Sequence, residues 1–218
     1  MNRAALSIAS ICVGLLTSVA GASAQATYHK EFWPELDVSY RLDDRWTLGG
    51  MWSISRYRDS GAAYQTEAGV FVDHRFDDSN SARIGYRHGW SADGGSYWEN
   101  RLLLEYTFRA QLAERIALGL RTRADLRWQN TGFSVRLRER ATIERETTIG
   151  HYTFTPYVSA EIYYDTRYGQ FSRYRLIAGT TFPLRRYLAI EPYYAHQVDF
   201  AVGPTIVDAL GFTVKLSF

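Results

Sequence analysis

Apolar and polar positions alternate with a period of two along most of this chain, most clearly from Ile116 to Thr147. Arg121, Arg123, Asp125 and Arg127 interleave with Leu120, Thr122, Ala124 and Leu126, and after an NTGF break Arg136, Arg138 and Arg140 interleave with Val135, Leu137 and Ala141. A period of two places one class of side chain on each face of a strand. Wound into helices, the same segments would spread arginine around the cylinder and leave no apolar stripe. The reading is a hairpin of two long strands with its turn around Asn130, Thr131 and Gly132. Each strand is about twice the ~5–6 residues usual in soluble proteins.

The pattern recurs along the chain. It predicts strands at roughly Trp33–Leu42, Arg45–Tyr57, Tyr64–Phe76, Ala82–Trp90, Trp98–Ala110, Ile116–Gln129, Ser134–Thr147, His151–Asp165, Phe171–Phe182, Tyr187–Gln197 and Val207–Phe218. Most have the ~9–11 residues of a tilted membrane-crossing strand. One phase is apolar: Leu36, Val38, Val70, Leu104, Leu120, Val158, Leu176, Ile190 and Val214 are examples. The other carries most of the charge, including Glu67, Asp73, Arg83, Arg87, Arg101, Arg109, Glu191 and Lys215. The expected fold is all-β, an antiparallel up-and-down transmembrane β-barrel of about twelve strands, within a range of ten to twelve. Its apolar phase faces lipid and its lumen is lined by arginine and acidic residues.

Composition adds detail. Lys30 and Lys215 are the only lysines among 25 basic residues, so the inward charges are nearly all guanidinium, which pairs with carboxylates in a fixed fork. The expected lumenal network contains Glu35, Asp37, Glu105, Arg121, Arg123, Asp125, Arg136, Arg138, Glu144, Glu161, Arg173 and Arg175. Trp33, Trp46, Tyr57, Trp90, Trp98, Trp128, Phe133, Tyr152, Tyr163, Tyr164, Phe182 and Tyr187 lie at predicted strand ends, as an interfacial girdle would require. Glu139 and Arg145 fall in the apolar phase, and a β-bulge that shifts the phase is the expected repair.

The chain opens with Arg3, an apolar run from Ala4 to Ala20 and the small residues Ala22-Ser23-Ala24, which reads as a cleaved secretory signal over residues 1–24. The barrel domain is then 25–218, and it contains no cysteine because Cys12 is the only one. Connections near 43–44, 77–81, 111–115, 148–150 and 183–186 are short, and those near 58–63, 91–97, 166–170 and 198–206 tend to be longer. Short periplasmic turns opposite longer external loops give that alternation. The last strand, FTVKLSF, ends on Phe218, which reads as an assembly signal at the periplasmic rim beside the first strand.

The segments WPELDVSYRL, RTRADLRW, VRLRERATIERE, SAEIYY, SRYRLIAGTTF and EPYY, in that order, resemble domain-of-unknown-function family 2490. The resemblance spans essentially the whole mature chain. It implies a secreted bacterial chain forming an outer-membrane β-barrel, and it implies no catalytic residue.

Motifs for nucleotides, P-loops, helical zinc sites and nucleophile elbows do not occur in the sequence. No catalytic residue, metal or cofactor is expected, and a net charge of +2 gives no argument for nucleic acid. The expected location is the outer membrane, and the expected partners are its lipid and the barrel-assembly machinery, with the solute unknown. The leading functional expectation is a non-enzymatic, narrow, anion-preferring pore. One alternative is a membrane lipid hydrolase or acyltransferase, for which His88, His151 or His196 beside a serine would be the place to look. The second is a soluble periplasmic lipocalin-like barrel with arginine outside and an apolar cavity.

Overall fold

The computed structural model describes Ala26–Phe218, and the expected signal segment lies outside the described residues. The described chain folds into β1 (Thr27–Arg41), β2 (Trp46–Tyr57), β3 (Ala63–Arg75), β4 (Asn80–Ser91), β5 (Trp98–Ala113) and β6 (Ile116–Gln129). It continues through β7 (Gly132–Arg145), β8 (Thr147–Ile149), β9 (Tyr152–Asp165), β10 (Gln170–Arg185), β11 (Leu188–Asp199) and β12 (Thr205–Ser217). Neighbours in sequence pair antiparallel around the sheet, and β9–β10 pairing with β12–β1 pairing closes it into a barrel.

Eleven staves form the wall, with β8 as the short twelfth strand. β7 and β8 share one register on β9, since Glu144 faces Tyr157 and Thr147 faces Phe154, so β8 continues the β7 stave past a break at Glu146. The amide of Glu146 turns aside to the Arg115 carbonyl at 2.9 Å. An odd number of alternating staves leaves the first and last strands running the same way. β1 and β12 accordingly pair in parallel, from Thr27↔Thr205 to Ser39↔Ser217. The even count usual for single-chain bacterial barrels does not hold here.

One end of the barrel carries the short connections 42–45, 76–79, 114–115, 150–151 and 186–187, and the other carries 58–62, 92–97, 130–131, 166–169 and 200–204. At the turn end, the Asp43 carboxylate accepts the amides of Arg45 and Trp46, both at 2.7 Å, and those bonds hold it below the usual carboxylate range. Asp77 is held low in the same way by the Asn80 side-chain amide and the Ser79 amide. Both groups support their turns above the ordinary aspartate pKa, and that support is lost as the pH falls through the lowered value. Phe218 closes the seam at this end: its amide donates to Ser39 O at 3.0 Å and its carbonyl accepts from Arg41 N at 2.8 Å.

The two phases separate as their alternation requires. Leu104, Leu120 and Leu176 are 43%, 39% and 49% exposed on the outside, whereas Arg121 and Arg138 line the interior. Such an exterior suits an apolar medium. It is the reverse of a lipocalin-like barrel, which overturns that alternative.

Several outward polar groups are paired with one another. His88 Nδ1 lies 2.8 Å from Asn100 Oδ1, which also accepts from Tyr86 at 2.6 Å. Asp208 gathers Tyr28, Tyr194 and His196, with the imidazole Nδ1 at 2.9 Å. The expected bulge between β6 and β7 is absent, because pairing is unbroken from Ile116↔Arg145 to Gln129↔Gly132. Glu139 therefore points outward from mid-strand, and Thr122 Oγ1 on β6 hydrogen-bonds it at 2.8 Å.

On part of the wall, inward aromatic rings lie across glycines of the paired strand. Phe71 covers Gly49, and Tyr193 covers Gly211. Gly179 sits between Tyr157 and Tyr193. An added Cβ at Gly211 would fall 1.9 Å from Tyr193 Cζ, and one at Gly49 would fall 2.1 Å from Phe71 Cζ. Replacing Gly211 with valine must therefore evict the Tyr193 ring. The expected cost is about 1–3 kcal/mol from overpacking. It should appear as a lower unfolding temperature of the detergent-solubilised barrel, followed by its unheated mobility on a gel; unchanged unfolding would contradict this packing.

Candidate functional site: an arginine-lined lumen

Pairing of β6 with β7 places Arg121 opposite Arg140 and Arg123 opposite Arg138 on the inward face. Like charges directly opposite one another are unfavourable without interleaved counter-charges. Asp125 on β6 itself and the neighbouring staves supply them. Arg138 Nη2 lies 2.8 Å from Glu161 Oε1, and Arg140 Nη2 lies 3.0 Å from Glu161 Oε2. Arg123 Nε donates to Asp125 Oδ1 at 2.6 Å. Glu105 on β5 sits 3.7 Å from Arg121 and 3.9 Å from Arg123.

A second knot lies nearer the loop end. Asp165, fully buried, accepts from Arg127 at 2.9 Å and from Arg136 at 2.9 and 3.0 Å. Glu99 accepts from Arg127 at 2.7 Å and from Arg101 Nε at 2.5 Å, and Arg101 also reaches Glu67 at 3.2 Å. Glu99, Asp165 and Arg127 lie outside the twelve residues expected for the network.

The knots meet at Tyr163, which is 2% exposed. Its hydroxyl donates to Glu161 at 2.6 Å and accepts from Arg138 at 3.1 Å. The guanidinium carbons of Arg136, Arg138, Arg173 and Arg175 lie 5.9, 4.7, 5.3 and 5.6 Å from its ring centroid. Arg175 also lies 4.9 Å from the centroid of Trp33, whose Nε1 donates to Glu31 at 2.6 Å. Tyr163 and Trp33 thus belong to the interior and not to the rim girdle. Strand-end position is an ambiguous signal for an aromatic, but the phase of Tyr163, two residues from Glu161, points inward.

The remaining expected residues divide. Arg173 pairs with Asp199, and Arg175 takes Gln197 in place of a carboxylate at 2.9 Å. Glu144 pairs with Arg109 on β5. Glu35 lines the interior beside Ser53 and Glu191, but among the described residues neither it nor Asp37 is ion-paired with a hairpin arginine. Both belong to the expected network, but open space separates them from the hairpin arginines.

That space is a cavity of about 550 Å³, lined by arginines of β4–β7 and β10 facing Glu31, Glu35 and Glu191. A second cavity of about 290 Å³ lies at the turn end among Arg41, Arg45, Asp73, Arg75, Arg83 and Glu105. Between the two, along β2, β3 and β5, stand the buried inward side chains Met51, Phe71 and Leu103. Arg83, hydrogen-bonded to Asp73 at 2.6 Å, lies 3.7 Å over the Phe71 ring. The interior is therefore wide toward the loop end and narrows at Phe71. Among the described residues no group of three His, Cys, Asp or Glu side chains converges as a metal site. His88 and His196 face outward with Asn100 and Asp208 as partners.

These features define a β-barrel with an apolar exterior and a charged, arginine-rich interior. The chain belongs to a family described as a protein of unknown function (DUF2490), whose profile matches residues 30–206. Among solved structures it is similar to a "bacterial polysaccharide outer membrane secretin", with a TM-score of 0.55 at 11% identity, covering 81% of this chain and 65% of that one. The chain thus spans just under two thirds of that structure, and the likeness is one of fold. A "KdgM porin" is also matched, with a TM-score of 0.45 at 13% identity over 77% of this chain and 88% of that one. Curated proteins give no match.

Replacing Asp165 with asparagine would leave Arg127 and Arg136 facing each other without their shared counter-charge. Breaking a buried pair from one side costs about 3–5 kcal/mol. Chemical denaturation of the refolded D165N barrel should show a loss of that order, and a midpoint equal to wild type would mean the pairs contribute nothing.

Proposed function

We propose that this chain is an exported outer-membrane barrel that acts as a narrow pore with a preference for anions. The observation that carries this reading is the pairing of an apolar exterior with a cavity whose surface is dominated by guanidinium groups. The carboxylates Glu99, Asp125, Glu161 and Asp165 lie buried at the wall, and the arginines they hold form the lining. Fixed positive charge along a constriction favours anions. The narrow level at Met51, Phe71 and Leu103 limits the size of what passes.

The test is a planar bilayer containing purified protein under a salt gradient. The sign of the reversal potential should show anions carrying most of the current. Replacing Arg121 and Arg138 together with glutamine should move that potential toward zero. A folded barrel that conducts nothing would overturn the pore.

Assembly follows from the same reading. In it, residues 1–24 direct export, lipid and the barrel-assembly machinery are the partners, and Phe218 marks the chain for insertion at the periplasmic turn end. Deleting Phe218 removes the seam bonds to Ser39 and Arg41 and also the aromatic end of the last strand. Fractionated cells should then hold less protein in the outer membrane and more in the periplasm. Normal insertion of the shortened chain would count against the terminal residue as a signal.

A further inference from the structure

We infer that the larger cavity holds a dedicated oxyanion-binding subsite built by Arg121, Arg123 and Arg140. The inference deepens the reading of the lumen as anion-preferring and adds a specific place and ligand class. Its ligand is a tetrahedral or planar oxyanion: a sulfate, a phosphate or a carboxylate group carried by a solute.

Charge and hydrogen bonding point to the same spot. Arg121, Arg123, Arg138 and Arg140 form a block of four guanidinium groups sharing three carboxylates, Glu105, Asp125 and Glu161. One positive charge is left over. The donors are also incompletely used. Arg123 is 4% exposed and lines the cavity, while its Nη2 is closed off from the cavity without a hydrogen-bond partner among the described residues, so a turn of the guanidinium is what would present it to a ligand. Arg140 Nε is in the same condition. Arg121 reaches Glu105 and Glu161 only at 3.7 and 3.6 Å, beyond hydrogen-bonding distance. Arg138, by contrast, donates to Glu161 at 3.1 and 2.8 Å and to Tyr163 at 3.1 Å. Leaving such donors unmet in a poorly solvated interior is costly. An oxyanion offers the multiple acceptor oxygens that guanidinium forks match.

A chloride ion would balance the surplus charge but could not engage the donors in directed pairs. The subsite should therefore discriminate among anions by shape as well as charge. Glu31 and Glu35 line the facing wall, where their charge disfavours an anion, so the favoured place for one is at the arginine block.

The test uses the whole barrel purified in detergent with chloride as background anion. Inorganic sulfate, inorganic phosphate and malonate are titrated separately by calorimetry, so the three arms distinguish sulfur, phosphorus and carboxylate oxyanions. Saturable binding in at least one arm is expected. Arg121→Gln should weaken it about tenfold, as expected for losing one charge-assisted contact. Glu105→Gln, which removes a carboxylate held only by long contacts, should tighten it severalfold and serves if Arg121→Gln fails to fold. Arg145→Gln removes the same charge from the outside and should leave binding unchanged. No saturable binding in any arm, or equal affinity in all four proteins, would overturn the subsite. Because binding is read without conduction, a silent barrel that binds sulfate removes the pore and keeps the subsite. An anion-selective barrel that binds none of the three does the opposite.

Discussion

The interior depends on one constraint: guanidinium groups brought face to face by strand register must share carboxylates, or the strands that carry them repel. Glu161 answers Arg138 and Arg140 from β9, and Asp165 answers Arg127 and Arg136 from the same strand. Each carboxylate sits at the wall, and each arginine reaches past it into the lumen. β6, β7 and β9 are therefore cross-tied by side chains as well as by backbone. Burying charge is expensive, and networks of this kind give register and rigidity more readily than net stability. The functional by-product is a lining whose positive groups are fixed in place.

The rest of the wall solves the opposite problem. On β2, β10 and β12, inward glycines let Phe71, Tyr157 and Tyr193 lie across the sheet instead of projecting into the interior. A side chain in place of any of these glycines would push its ring toward the axis. Arginine crowding on one side and flattened aromatics on the other leave the cavity between them. Its width is set by both, and the narrowing at Phe71 comes where Arg83 lies over the ring and adds a layer.

Much of this was legible in the sequence, because a period of two carries fold and face together. RTRADLRW and VRLRERAT announce the hairpin, and the phase of Glu161 places it among the arginines. Asp165 and Glu99 lie at strand ends, where alternation cannot show that a strand continues. The bulge between Phe171 and Arg173 also shifts the phase beside Asp165. Tyr163 was assigned to the rim because an aromatic near a strand end fits either place. Glu139 breaks the outward phase with no bulge to excuse it, and its partner, Thr122, lies across the pairing on β6, where sequence spacing does not show it. The alternation yields eleven segments, one for each stave, and runs through Glu146 without a break. The expectation of about twelve came from the even count usual for such barrels, which the parallel closure of β1 on β12 does not obey.

The odd count has its own physical consequence. Parallel pairing is somewhat weaker per residue than antiparallel pairing, so β1–β12 is where a closed barrel of this kind should part first. The molecule clamps that seam at both ends. At the turn end, Phe218 exchanges backbone hydrogen bonds with Ser39 and Arg41, and its ring stacks with Tyr187 at 6.3 Å. Toward the loop end, Asp208 on β12 binds Tyr28 of β1 on one side and Tyr194 and His196 of β11 on the other. A carboxylate on a mostly apolar outer face is costly, and its place beside the one parallel pair gives it a reason to be there. The outward polar cluster and the terminal phenylalanine are thus two halves of one device, which lets eleven staves close where ten or twelve would need no such help.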